Sequence, residues 1–315
     1  MKWKKLGQIF NLKEISTEHY FAQSPQAIVL ENSIRIFFAS RILDAKGKFL
    51  SYIHFVDYSK DLKKMLGISK DPVLELGKLG SFDEHGIFPM NVLKVNDQVY
   101  GYTTGWNRRK SVSVDAAIGL AISDDNGLSF KRYSTGPVLA PSTHEPFLVG
   151  DAFVQNFNNK FHMWYIHGCR WIEGPAFDKP ERVYKIAHAI SENGINWTKT
   201  NKQLISDKIG SDECQALPSV IKVNDLYHMY FCYRYALDFR AGGENSYRIG
   251  YAYSSDLENW TRDDSLAGID VGNQGWDSEM TCYPFVFSCD EKTYMLYNGN
   301  EFGKHGFGAA ILDIE

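Results

Sequence analysis

Apolar residues along the chain gather into short runs separated by polar turns, and the pattern repeats. Pro25 opens the run Gln26-Ala27-Ile28-Val29-Leu30. A turn at Glu31-Asn32-Ser33 follows, then Ile34-Arg35-Ile36-Phe37-Phe38. The same order, an apolar strand, a turn and an aromatic-rich strand, recurs after Pro89, Asp151, Pro218 and Pro284, at intervals of roughly 65 residues. Each of the first four units closes with a third strand running into a serine and a turn: Tyr58-Ser59, Ile122-Ser123, Ile190-Ser191 and Tyr253-Ser254. Short strands joined by Asn, Asp and Gly turns form antiparallel hairpins, and repeated four-stranded sheets of this size are propeller blades. The pattern predicts an all-β, five-bladed β-propeller with four-stranded antiparallel blades, spanning residues 1–315 as a single domain.

The fifth unit ends after Gly306-Phe307-Gly308-Ala309-Ala310-Ile311-Leu312, with no residues left for a fourth strand. Trp3-Lys4-Lys5-Leu6-Gly7-Gln8-Ile9-Phe10 resembles the outer strand at Trp197–Ile205, so the N-terminal strand is expected to close the last blade. The stretch Ser123-Asp124-Asp125-Asn126-Gly127-Leu128-Ser129-Phe130 fits the Asp-box turn found on the outer edges of propeller blades.

Composition narrows the function. The 34 basic and 38 acidic side chains give a net charge of −4, which offers no general attraction to nucleic acid or to an anionic membrane. The longest nearly apolar run, Ala116–Ile122, is too short to cross a bilayer, and Met1-Lys2-Trp3-Lys4-Lys5 leads into no apolar signal segment. Five cysteines without a Cys-x-x-Cys pair read as reduced thiols, and the expected location is cytoplasmic. P-loop, zincin and nucleophile-elbow motifs are missing, and the nine histidines are scattered, so no metal and no cofactor is expected.

Residues just upstream of the first strands converge at one mouth of a propeller, and here they are acidic. Glu84, Glu213 and Glu279 each lie five positions before a repeat proline, with Asp83 and Asp277 close by. Crowded carboxyls separate into a proton donor and an ionised partner, the pair that glycoside cleavage needs. The alternative is that they pair with Arg and Lys around the rim. Trp106 and Trp171 offer stacking faces for a sugar ring, and the 20 Phe, 18 Tyr and 7 Trp make such surfaces abundant.

The whole chain resembles the five-bladed glycoside hydrolase superfamily of families 32, 43, 68 and 130, which includes invertases, arabinofuranosidases, xylosidases and mannoside phosphorylases. Asp212-Glu213-Cys214 is similar to the Glu-Cys motif of family 32, whose Glu is the general acid. The resemblance therefore implies a carbohydrate substrate, with Glu213 as acid and one of Asp83, Glu84, Asp277 and Glu279 as base or nucleophile. The sequence departs from those families at Phe21-Ala22-Gln23-Ser24-Pro25, where they carry a first-blade Asp.

Basic residues add a second theme. Arg41 and Arg234 follow aromatic second strands, and Arg240 borders the Gly-rich stretch Ala241-Gly242-Gly243-Glu244. Such a set suits an anionic sugar, a sugar phosphate, or phosphate as co-substrate. Gln23, Arg41, Trp106, Trp171, Arg234, Arg240 and Tyr247 are the expected substrate contacts. The function expected is glycoside hydrolysis, with a phosphorylase or glycosyl transferase, or a non-catalytic saccharide-binding propeller, as alternatives.

Overall fold

The computed structural model describes residues 2–14, 18–174 and 178–313, and the chain is almost entirely β. Twenty strands alternate with turns: β1 (Lys2–Asn11), β2 (Tyr20–Val29), β3 (Ile34–Leu43), β4 (Phe49–Tyr58), β5 (Met65–Ile68), β6 (Gly86–Val95), β7 (Gln98–Arg108), β8 (Val114–Ser123), β9 (Lys131–Arg132), β10 (Val149–Phe157), β11 (Lys160–Ile172), β12 (Glu181–Ser191), β13 (Thr198–Lys199), β14 (Glu213–Val223), β15 (Leu226–Tyr235), β16 (Arg248–Ser254), β17 (Thr261–Arg262), β18 (Cys282–Cys289), β19 (Lys292–Asn298) and β20 (Gly306–Asp313).

Antiparallel pairing groups β10 to β13 in one sheet and β14 to β17 in another. Strands β2 to β5 and β6 to β9 form two further four-stranded antiparallel units, tied together by a single parallel bridge between Ser51 and Gly86. The remaining sheet runs β18, β19, β20, β1, so the first strand pairs with the last. Trp3 and Phe10 of β1 are buried there, the latter stacked on Phe307. Strands β2, β6, β10, β14 and β18 pack on one another in succession, and β18 returns to β2.

Each of these five strands is interrupted by a bulge of two residues at its start: Ser24-Pro25, Phe88-Pro89, Asp151-Ala152, Leu217-Pro218 and Tyr283-Pro284. A bulge re-aims the side chain it carries. Ser24, Asp151, Leu217 and Tyr283 sit there at positive φ, between 47 and 57°. The repeat prolines thus follow the re-aimed residue, whereas Asp151 is itself that residue.

The serine turns that end the third strands are built from side-chain hydrogen bonds. Ser123 Oγ donates to Asp125 Oδ1 (2.6 Å) and accepts from the Gly127 amide, and Asp125 also holds Ser129. These bonds outweigh partial burial and pull the Asp125 carboxyl down to about 2. Ser191 and Ser254 repeat the arrangement with Asn193 and Asp256.

Candidate functional site

The five acids expected at the mouth are not brought together. Glu213 is fully buried: it accepts from the Lys208 and Ile209 amides (2.9 and 3.0 Å) and from Gln215 Nε2 (2.9 Å), and it pairs with Arg262 Nη1 at 2.6 Å. Asp83 takes both Nε and Nη2 of Arg132 on one oxygen, at 2.8 and 2.6 Å. Asp277 binds Lys5 Nζ (2.7 Å) and the Tyr297 hydroxyl (2.9 Å). Glu84 folds back on the Gly80 amide, and Glu279 is exposed with its carboxyl against Gly242.

Of the three acids in matched phase only Glu213 pairs across its sheet, and it does so as one of a series. In four successive sheets an acid just before or at the start of the first strand reaches a base on the outermost strand: Asp83 to Arg132 of β9, Glu145 to Lys199 of β13, Glu213 to Arg262 of β17, and Asp277 to Lys5 of β1. The repeat is an ion-pair clasp that fastens the loop to its own sheet. β1 supplies the clasp of the last sheet just as β9, β13 and β17 do in theirs.

A pocket of about 460 Å³ opens instead at the convergence of the bulged strands. Its wall includes Gln23, Arg41, Trp106, Arg234, Arg240 and Tyr247 from the expected substrate set, whereas Trp171 packs against the core outside it. Asp151 supplies the single carboxyl among the described lining residues, and Arg182, Tyr184 and Tyr283 face the same space. In the sequence Asp151 marks the start of the third repeat unit. Its signal was there: an acid stands where the other four units have an uncharged residue before, or a proline at, the start of the strand.

The Asp151 backbone is held by its amide, which donates to Thr104 Oγ1 of β7 at 2.7 Å. That approach depends on Gly150, because a Cβ there would come within 2.7 Å of Thr104 Cγ2. Burial pushes the Asp151 carboxyl up to about 7, with Arg182 and the Leu217 amide opposing the rise. A carboxyl so poised exchanges a proton near neutral pH, the property a general acid or base requires.

The arginines are short of counter-ions. Arg234 is 2% exposed, donates to the Tyr235 and Ala236 carbonyls and to the Tyr184 hydroxyl (2.9 Å), and leaves Nε buried without a partner. Phe239 lies over its guanidinium at 3.4 Å. Arg182 donates to Ser113 Oγ at 3.2 Å and faces the Asp151 charge. The Arg41 guanidinium makes no hydrogen bond or ion pair to any described residue, and burial lowers its pKa, with Tyr283 opposing and Arg182 adding to the effect. Arg240, at the rim, is paired with Glu181. Buried cations without acid partners are costly unless an anion joins them. Tyr184 and Tyr247 share a hydroxyl contact of 2.7 Å, and burial drives the Tyr247 and Tyr283 hydroxyls well above the ordinary tyrosine range. All three therefore stay protonated donors at neutral pH.

No group of three or more His, Cys, Asp or Glu among the described residues is placed to hold a metal ion. No helix among them is long and apolar enough to cross a membrane.

No family model matches the sequence. The uncharacterized protein MT1551 of Mycobacterium tuberculosis is 34% identical over 316 residues, covering 99% of this chain and 100% of its own. A β-1,2-mannobiose phosphorylase of Thermoanaerobacter is 29% identical over 140 residues, 41% of this chain and 43% of that protein. Among solved structures, a protein described as a glycoside hydrolase superposes with a TM-score of 0.76 at 15% identity, over 99% of this chain and 92% of its own. The β-1,2-mannobiose phosphorylase of Listeria innocua superposes with a TM-score of 0.69 at 12% identity, over 99% and 96%. The chain belongs to the same family as MT1551, and its fold is that of the β-propeller glycoside hydrolases and mannoside phosphorylases.

Proposed function

We propose that this protein is a carbohydrate-active enzyme that transfers a glycosyl group to phosphate, with Asp151 as its proton-handling carboxyl and Arg182 and Arg234 as the phosphate site. The observation that carries this reading is the charge count of the pocket: one carboxyl, poised near neutrality, among several guanidiniums that lack acid partners. A hydrolase working through two protein carboxylates needs a second one, and of the acids expected to supply it Asp83, Glu213 and Asp277 are bound in clasps while Glu84 and Glu279 do not line the pocket. Phosphate can take the place of that second group. The Asp151 carboxyl protonates the glycosidic oxygen, a phosphate oxygen bonds to the anomeric carbon as the C–O bond to the leaving group breaks, and a sugar phosphate and an alcohol depart. A proton from solvent then restores the acid. Arginine forks match phosphate oxygens, and the Tyr184, Tyr247 and Tyr283 hydroxyls add neutral donors.

The partial relatedness to mannobiose phosphorylases supports the same reading and suggests a mannoside-like substrate. We read the five bulged sheets as a five-bladed ring closed by β1. The free state of all five cysteines fits a reducing compartment, so we place the reaction in the cytoplasm. The hydrolytic alternative keeps Glu213 as acid and requires Arg262 to release it. A screen of oligosaccharides with and without phosphate, followed by product analysis, separates the two. Sugar phosphate formed only with phosphate, and lost in Asp151→Asn, is the expected result; phosphate-independent release of free sugar overturns the proposal.

A further inference from the structure

The two sides of the pocket differ in chemistry. Asp151, Arg182, Tyr184, Arg234, Tyr247 and Tyr283 form a polar side from the third, fourth and fifth sheets. Next to them, with Phe88 against Tyr283, the first two sheets present Trp106 and a group of Phe21, Phe49 and Phe88 around Arg41. The Arg41 guanidinium lies 5.1, 5.9 and 5.8 Å from the Phe21, Phe49 and Phe88 ring centres. Phe21 is held at a φ of 65°, a conformation costly for an aromatic residue, and its ring lines the pocket.

Most other polar groups on that side are already engaged. Trp106 Nε1 donates to Ser51 Oγ (2.7 Å), Thr104 Oγ1 accepts the Asp151 amide, and Gln23 Nε2 donates to the Phe302 carbonyl (2.6 Å) while its Oε1 is buried without a partner. Sugar hydroxyls placed here would find one spare acceptor. Beside it stands one planar guanidinium that bonds to no described side chain, set in a collar of aromatic faces. One positive charge with two parallel donors matches a planar monoanion with two oxygens.

Resting on the glycosyl-transfer reading of this pocket, we infer that the Arg41 collar is a second anion subsite, distinct from the phosphate site, which recognises a carboxylate carried on an apolar substituent of the substrate. The substrate class is thus a saccharide bearing a carboxylated hydrocarbon group. Arg41 and its collar set specificity, and Asp151 and the arginines of the polar side serve the transfer.

The test is calorimetric titration of the full chain with benzoate and acetate, each with and without inorganic phosphate. Benzoate is expected to bind about tenfold more tightly than acetate through the collar, and to bind together with phosphate. Arg41→Gln abolishes benzoate binding. Arg41→Lys, which keeps the charge and loses the planar fork, weakens it. Phe49→Ala, at a half-buried position, reduces benzoate to the affinity of acetate. Equal affinity for the two acids in the unmodified protein, or benzoate binding that survives Arg41→Gln, overturns the inference. Displacement of benzoate by phosphate overturns it too, while leaving the phosphate reading in place. Arg41-dependent benzoate binding in a protein that binds no phosphate supports the inference and removes the phosphorolysis reading.

Discussion

Replacing Asp151 with Asn should abolish turnover and, at the same time, stabilise the fold in a pH-dependent way. Asn has the same shape and tolerates the positive φ of 52° at this position. Burial moves the Asp151 carboxyl from an ordinary 3.8 to about 7. The native state therefore prefers the neutral acid, and the group favours folding fully below pH 3.8 and loses that contribution as pH rises through 7. At 1.36 kcal/mol per pH unit the complete penalty is ~4 kcal/mol. The linkage relation spreads it as about 2 kcal/mol at pH 5 and about 4 kcal/mol at pH 8. Asn carries none of it. Thermal melts of both proteins in phosphate-free buffers should show the variant pulling ahead by an additional 2 to 3 kcal/mol, roughly 3 to 5 °C, between pH 5 and pH 8. Parallel melting curves across that range would refute the claim that a desolvated carboxyl sits at the centre of the pocket.

Other expectations follow from the clasps, the first strand and the buried histidines. Glu213→Gln leaves turnover in place and lowers stability by about 1 to 3 kcal/mol, because Arg262 keeps Asp264 but loses one partner; chemical denaturation and a kinetic assay together separate this from a catalytic loss. Trp3→Ala should cost about 3 to 5 kcal/mol in denaturant melts, since this ring is buried against Tyr230 between β1 and the neighbouring sheet. His54 is fully buried, and burial and then His19 hold it down to about 4, so it contributes stability above pH 6.5 that disappears as pH falls toward 4. His54→Gln should flatten that acid limb in melts between pH 7 and pH 4, and an unchanged limb would assign it to other groups.

Much of the architecture was legible because strand alternation and turn residues are local signals that recur with each unit. The pairing of residues 2–11 with the last strand could be read from the likeness of Trp3–Phe10 to another outer strand. Site chemistry was harder. Acids in matched phase drew attention, yet phase does not fix a role: Glu213 is clasped to the outer strand, whereas in two other sheets the clasp is made by the neighbouring acids Asp83 and Asp277 rather than by Glu84 and Glu279. Whether a carboxyl faces a cavity or a guanidinium depends on which residues of the fourth strands, such as Arg132 and Arg262, lie opposite, and those are some 50 positions away. Asp151 was hidden for a related reason: the bulge that turns it inward exists only once β10 is paired with β11. Arg41 and Arg234 of the pocket wall were easier to find, because both lie near the end of an aromatic second strand, whereas Arg182, on the third strand β12, carried no such signal.

The clasp between Lys5 and Asp277, and the hydrogen-bonded ladder between residues 2–11 and 306–313, join segments 272 or more positions apart in the sequence. Residues 2–11 therefore cannot pair until residues 306–313 have been synthesised. Until then the sheet of β18, β19 and β20 lacks its outer member, and Phe10 has no Phe307 to stack on. Contacts of such long sequence separation form slowly. Completion of that sheet is thus a late step of assembly, and the interval before it is when chaperones would have most to protect.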